Sequence, residues 1–367
     1  MKLTVHLVTW NGAKYVPALF ESLRKQTFQD WKLVILDNAS KDEMVVAMKK
    51  EIMDFPVEVE LVESSENTGF AGGHNMLFQK TESEYFICLN QDLFLEPECL
   101  EKLVKFLDTH VDVAVVSPRL MKWNFSTQLP LFESPSESVE SRGNEVFTDQ
   151  IDSLGLKVFR SRRVREKYSG KLWQDIKPKM HLSFRAERFR GNQTALEVFG
   201  VSGTLPCFRR SMIATVSFAD QTFFDQSYHA YKEDVDLAFR LQSAGHRAFV
   251  LLDAVAYHDR SAAGPDSPSD LAAAGNKKSQ SAWVKYHSYK NHLMTLFKNE
   301  YWQNALLDFP WILWYELKKF GYFLVFDRHV LSGLLEVWKM RKELKKKKAE
   351  IKQKRKINFK EIRKWWK

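Results

Sequence analysis

A chain of 367 residues, 44% hydrophobic and 28% charged, has room for one large globular domain plus appendages. Three cysteines, Cys88, Cys99 and Cys207, form no Cys-x-x-Cys pair, which excludes a disulfide scaffold and a zinc knuckle and fits a reducing, intracellular setting. The net charge of +9 is uneven: residues 339–367 hold 15 Lys and Arg against three Glu, a surplus of +12, so residues 1–338 sum to −3.

The first residues alternate like a strand and lack the apolar core and cleavage site of a signal peptide. Residues 3–10 read as a strand, 14–25 as a helix with Leu19 and Leu23 on one face, and 31–38 as a buried strand. Ser40 with Glu43 three residues on reads as a capping box that opens a helix through residue 52. Residues 57–64 alternate as a strand, 75–81 suit a short helix, 85–92 a buried strand, 98–109 a helix and 112–118 a strand. Alternating strands and helices predict an α/β domain with a largely parallel sheet over residues 1–265.

The pattern breaks at 119–195, with a polar run at 133–145 and a basic run at 159–171. This stretch reads as a loop-rich insertion at about 122–195 and not as a domain of its own. Order resumes at 196–209, then at "YKEDVDLAFRLQSAGH" (231–246) and a last strand at 246–258. Pro, Gly, Ser and Ala make 261–275 a connector, which overlaps the linker placed at 266–282. Residues 283–340 are helical and rich in aromatics, but charges at Asp308, Glu316, Lys318, Lys319, Asp327 and Arg328 leave no spanning apolar run. Followed by a polybasic tail at 341–367, they suit helices lying on an anionic membrane surface; a bundle packed on the core is the alternative. Nothing else resembles a nucleic-acid module.

In an open α/β sheet, ligands bind beyond the carboxyl ends of the strands. Four features fall there: "VTWN", Asp37-Asn38, the glycine-rich "ENTGFAGGHN" (66–75), and Asn90-Gln91-Asp92, where a carboxylate can hold a cation that bridges a diphosphate. The turn after the first strand has one glycine and no Lys-Ser/Thr, which disfavours a dehydrogenase or P-loop reading.

These segments, with "VSGTLPCFRR" and "FFDQSYHAYKEDVDLAFRLQSAGH", resemble in order and spacing the family 2 glycosyltransferases of GT-A fold, and within them a rhamnosyltransferase-like subgroup. The resemblance covers about residues 1–260 and implies a mixed sheet flanked by helices. It also implies inverting transfer of a sugar from a nucleotide diphosphate sugar to an acceptor hydroxyl. Carried over by position, Thr9, Trp10, Asn11 and Asp37 would hold the nucleotide. Asn67, Gly72, Gly73, Asn75, Asn90 and Gln91 would shape the donor pocket, and Ser202, Gly203 and Thr204 would border the acceptor. Asp92 matches the last acid of the metal-binding DXD motif, for Mg²⁺ or Mn²⁺, with His258 completing the shell; Asn90 replaces the first acid. A neutral amide is the poorer cation ligand.

Of the three acids Glu233, Asp234 and Asp236, helical spacing puts Asp234 in register with Leu237, Ala238 and Leu241. Burial against that stripe would raise its pKa and suit a general base, the role the resemblance gives it, with Glu233 beside it. Asp236, four residues before Arg240, suits a surface or supporting ion pair. The donor tilts to dTDP-rhamnose, with UDP-hexose or UDP-galactofuranose as alternatives. The acceptor would be a glycan or lipid-linked hydroxyl in cell-surface polysaccharide synthesis, at the inner face of the plasma membrane. A non-catalytic sugar-nucleotide-binding module, or a retaining or hydrolysing enzyme, are the rival readings.

Overall fold

A computed structural model describes residues 1–125, 146–180, 186–188, 194–259 and 280–366. The connector at 261–275 and the polar run at 133–145 lie outside the described residues. Thirteen strands are present among them. They are β1 (Leu3–Thr9), β2 (Trp31–Asp37), β3 (Val59–Glu63), β4 (Tyr85–Leu89), β5 (Leu93–Leu95), β6 (Val113–Trp123) and β7 (Phe147–Ser153). β8 (Leu156–Val158), β9 (Val164–Glu166), β10 (Ala186–Arg188), β11 (Thr194–Val198), β12 (Cys207–Arg209) and β13 (Arg247–His258) follow.

The main sheet runs β10-β11-β13-β6-β12-β4-β1-β2-β3, with β5 added to β13 and β7 to β6. The half β4-β1-β2-β3 is parallel, and its strands β2 and β4 are near-continuous apolar runs because helices cover both faces. β12, β11 and β10 enter antiparallel, so the sheet is mixed. One face packs on the helices Val16–Arg24, Met44–Ile52 and Cys99–Thr109, the other on Gly69–Lys80 and Glu233–Ser243.

Four sequence expectations change. Ser40 caps no helix: that helix starts at Met44, and Ser40 instead accepts a hydrogen bond from the Asn11 N–H at 3.0 Å. The helix placed at 75–81 begins at Gly69, so the glycine-rich segment is its first turns and not a loop. The region 122–195 is not simply loop: β7, β8, β9 and the helix Trp173–Met180 are ordered, and β7 joins the main sheet. The basic tail at 341–367 is not free. Its helix Arg341–Lys354 buries Leu344 and Ile351, Lys347 pairs with Asp225 at 2.7 Å, and Trp365 and Trp366 close over Phe199 and Phe239.

The helix Phe309–Phe326 is amphipathic in the inverted sense. It turns Glu316 and Lys319 inward, where Glu316 bonds His292 at 2.7 Å, while Trp311, Trp314, Leu317, Val325 and Phe326 face outward. No described helix is long and apolar enough to cross a membrane.

Candidate active site

An open cleft of about 430 Å³ lies at the carboxyl ends of β4 and β13. Asn90, Asp92, Ser202, Gly203, Thr204, Glu233, Asp234 and His258, all singled out from sequence, line it together. The remaining sequence-predicted residues do not line it.

The 233–243 helix brings the two consecutive acids to the cleft. It starts abruptly, because the loop before it holds three non-glycine residues at positive φ: His229 at 59°, Tyr231 at 69° and Lys232 at 71°. Such backbone is costly and persists only when the surroundings impose it. Here Asn291, on the helix Ala282–Asn299, donates from one amide to the carbonyls of Tyr228, Ala230 and Tyr231 at 3.0, 2.8 and 2.7 Å. Gly69, at φ 75°, lets the neighbouring helix pass under this loop; a Cβ there would come 2.5 Å from the His229 carbonyl oxygen.

Asp234 is half-buried and not sealed against the apolar stripe, which corrects the sequence expectation. Its Oδ2 accepts from the Gly203 N–H at 3.1 Å and its Oδ1 from the Val235 N–H at 2.7 Å. Gly203 lies close against the carboxylate: a Cβ there would sit in van der Waals contact, 3.4 Å from Asp234 Cβ. The acid whose pKa is raised is Glu233. Burial and the adjacent Asp234 push it up to about 8, and its Oε2 has no hydrogen-bond partner among the described residues. Asp236 does pair with Arg240, at 3.0 Å, but not on the surface. It is fully buried and also meets Lys298 at 2.9 Å and Asn299 at 2.7 Å. Burial opposes its charge, yet those cations hold it below the usual carboxylate range. Asp236 is thus a bolt between helices.

On the facing wall, Asn90 Oδ1 and Asp92 Oδ1 are buried oxygens without partners among the described residues. Unsatisfied acceptors lining one cleft are what a cation needs. His258 Nε2 lies 3.3 Å from Asp92 Oδ2, and its Nδ1 lies 2.9 Å from Asp152 on β7. Burial would depress this imidazole, but Asp92 and Asp152 outweigh it and hold it up to about 9. A carboxylate behind a histidine that faces a metal ligand is a common outer-shell arrangement. No group of three His, Cys, Asp or Glu converges as a ready-made metal centre among the described residues. Sequence reasoning missed Asp152, together with Arg163, Arg165, Glu166 and Lys232 of the cleft wall. All but Lys232 sit in the insertion, where short polar strands carry little periodic signal.

The remaining sites lie along the adjacent strand ends. Thr9 Oγ1 donates to Asp37 Oδ1 at 3.2 Å, and Asp37 Oδ2 accepts from the Ser40 N–H at 3.0 Å. Gln91 clamps the Trp10 backbone through both its N–H and its carbonyl, at 2.8 and 3.1 Å, leaving the Trp10 ring 53% exposed. Asn11 (φ 48°) accepts from the Lys41 N–H, and Asn67 accepts from Asn38 and the Gly69 N–H. These last two shape loops with their side chains. Asn75 and Gly73 pack in the interior. Asn75 is buried and tied to the backbone of Phe223 and Phe224, Gly73 packs against Val8 and Leu36, and Gly72 faces Thr68.

Residues 4–216 match the family described as Glycosyl transferase family 2. The chain is 29% identical over 132 residues to the teichoic acid poly(glycerol phosphate) polymerase of Staphylococcus epidermidis, covering 36% of this chain and 18% of that protein. It is 27% identical over 124 residues to the O-antigen chain rhamnosyltransferase RfbN of Salmonella typhimurium, covering 33% of this chain and 38% of that protein. The chain thus spans well under half the length of these curated relatives. The crystal structure of GalNAc-T7 with UDP, GalNAc and Mn2+ superposes with a TM-score of 0.55 at 11% identity, over 81% of this chain and 48% of that one, a likeness of fold.

Proposed function

The chain belongs to glycosyl transferase family 2, and from that premise we propose that it moves a sugar from a nucleotide diphosphate sugar to an acceptor hydroxyl with inversion. The observation that carries this reading is the Asp234 carboxylate, fixed on the Gly203 N–H in a cleft that also presents the unpartnered oxygens of Asn90 and Asp92.

Asp234 takes the acceptor proton as the acceptor oxygen attacks the anomeric carbon. The bond to the diphosphate breaks on the opposite face, and its electron pair leaves with the diphosphate oxygen. Glu233, protonated at neutral pH, is a hydrogen-bond donor to a substrate oxygen beside that base. Asp92, Asn90 and His258 are the residues that would hold Mg²⁺ or Mn²⁺, whose charge, when bound, stabilises the leaving diphosphate. Asp152 keeps the His258 ring turned toward Asp92. The exposed Trp10 ring and the Thr9–Asp37 edge suit the base and ribose. Rhamnose on dTDP is the donor favoured by the resemblance, and the similarity to an O-antigen rhamnosyltransferase supports it modestly. UDP-linked sugars remain the second reading, because the likeness to a UDP-bound fold neighbour gives no preference for dTDP.

The acceptor is a glycan or lipid-linked hydroxyl of cell-surface polysaccharide synthesis, met at the inner membrane face. The outward apolar face of the 309–326 helix, with Lys318 and Arg328 beside it, supports that placement. A thermal-shift screen of nucleotide diphosphate sugars with and without Mn²⁺ tests the donor reading. A Mn²⁺-dependent rise in Tm with one sugar nucleotide is the expected result, and no rise with any of them contradicts it.

A further inference from the structure

The helix that carries Asp234 begins at Glu233, beyond residue 216, where the match to the family ends. Two later segments hold it. One is the helix Ala282–Asn299; the other is the carboxyl-terminal strap, led by the helix Arg341–Lys354.

At the start of the 233–243 helix, four charged side chains are sealed from water: Asp225, Asp236, Arg240 and Lys298. Lys298 bonds Asp225 and meets Asp236 at 2.9 Å, and Asp236 meets Arg240 at 3.0 Å. Lys347 of the strap takes the other oxygen of Asp225 at 2.7 Å. Burial opposes the charge on Asp225, but Lys298 and Lys347 outweigh it and hold the carboxyl below its usual range. Contacts therefore run from Lys347 through Asp225 and Lys298 to Asp236, two residues from the proposed base. Arg240, Lys298 and Lys347 also converge on the Phe218 ring, at 4.6, 5.4 and 5.6 Å from its centroid.

This cluster does not need Lys347 for charge balance. Two sealed acids face two sealed cations, and Lys347 arrives with its own acid, Glu343, at 2.5 Å. Stability is a weak reason for such a network, because apolar side chains of like volume often replace buried ion pairs without loss. What charged pairs supply is direction: each bond holds only while donor and acceptor stay aligned, so a helix bolted by them cannot slide or turn freely. The far end of the same helix is held too. The Ser243 carbonyl accepts from the N–H groups of Lys356 and Ile357 at 2.9 and 3.2 Å, and Gln242 accepts from the Trp365 indole at 2.9 Å. The strap thus grips both ends of the helix. A shift that carried Asp234 off the Gly203 N–H would disturb contacts at both.

We propose that the strap positions the base: Lys347, acting through Asp225, Lys298 and Asp236, sets the place of the 233–243 helix and so the reach of Asp234. The proposal rests on the assignment of Asp234 as base. Lys347 does not line the cleft and is a positioning residue.

The test uses the full chain and the sugar nucleotide chosen by the thermal-shift screen. Release of its nucleoside diphosphate is followed at steady state with Mn²⁺ present and water as the acceptor. Lys347→Met keeps the aliphatic stem and the balance of the four sealed charges, so the chain folds. It should lower kcat about fivefold or more and leave the donor KM within about twofold. Lys347→Arg, which still reaches Asp225, should recover most of the loss. Lys347→Gln, which keeps a hydrogen bond without the charge, should fall between and is the milder variant. Lys285→Met breaks an ion pair outside this chain of contacts, with Asp327 at 3.0 Å, and gauges the effect of lost stability alone. It should lower Tm with kcat unchanged. An unchanged kcat in Lys347→Met overturns the proposal. So does a fall that Lys285→Met matches at equal loss of Tm, or one that appears in the donor KM instead. Asp234→Asn is measured in parallel: release at the parent rate in that variant overturns the base assignment itself.

Discussion

Glu233 and Asp234 are consecutive, and the fold treats them in opposite ways. Asp234 sits half-open to the cleft with two backbone N–H groups on its oxygens, whereas Glu233 is buried with an unpartnered oxygen. Spacing singled out Asp234 because it falls in register with the apolar stripe. The physical reason supplied by the fold is different: the carboxylate meets Gly203, thirty-one positions away in sequence. The environment of a helix's first turn is set by whatever loop lies against it, and no local pattern contains that. The raised group, Glu233, has a testable signature. Its folded pKa of about 8 exceeds the ordinary 4.5, so the native state keeps a proton that the unfolded chain releases. Its contribution to stability is complete below about pH 4.5 and is lost as pH rises through about 8. Glu233→Gln should therefore flatten the fall in Tm between about pH 5 and about pH 8, measured by calorimetry. An unaltered slope in the variant would show that Glu233 is not the proton holder.

At the scale of elements, the site depends on parts that carry no chemistry. The loop 229–232 is strained, and the three hydrogen bonds from Asn291 hold it. Asn291→Ala removes the donor that ties the carbonyls of Tyr228, Ala230 and Tyr231 together, at a cost of roughly 1–3 kcal/mol. It should also lower kcat more than it raises the donor KM, since the acids move and the strand ends do not. Steady-state kinetics would test this, and a variant with unchanged kcat would show that the strain is held elsewhere. Buried parallel strands such as 31–37 and the last strand were readable from continuous apolar runs. β7, with the sequence FTDQIDS, was not readable, because it pairs at the sheet's flank and its polar residues do not alternate. It nonetheless supplies Asp152 to His258. The glycine-rich segment was read as a ligand loop, but Gly73 lets the 69–80 helix pack close to β1 and β2, and Gly69 lets it pass the 229–232 loop.

For the molecule as a whole, charge and exposed apolar surface are distributed differently from what composition suggests. The basic carboxyl-terminal segment is a packed strap: Lys347 reaches Asp225, Arg363 reaches Asp308 at 2.8 Å, and two tryptophans are buried. Charge runs look solvated in sequence because lysine counts do not reveal which faces find carboxylates. Removing residues 341–367 would strip these contacts, so the membrane reading is better tested at the 309–326 helix. Trp314→Ser with Leu317→Ser should weaken co-sedimentation with vesicles containing anionic lipid without lowering Tm, since both side chains already face outward. Unchanged vesicle binding would remove this helix from the membrane account.

The central claim is that Asp234 is the base of a nucleotide-sugar-dependent transfer, and Asp234→Asn tests it most directly. The amide keeps the shape and can accept one of the two backbone N–H bonds, but it cannot take the acceptor proton. Donor affinity and turnover are to be measured on the same preparation. The account predicts donor binding within about twofold of the parent and sugar transfer reduced by about a hundredfold or more. Transfer near the parent rate, with donor binding intact, would contradict it.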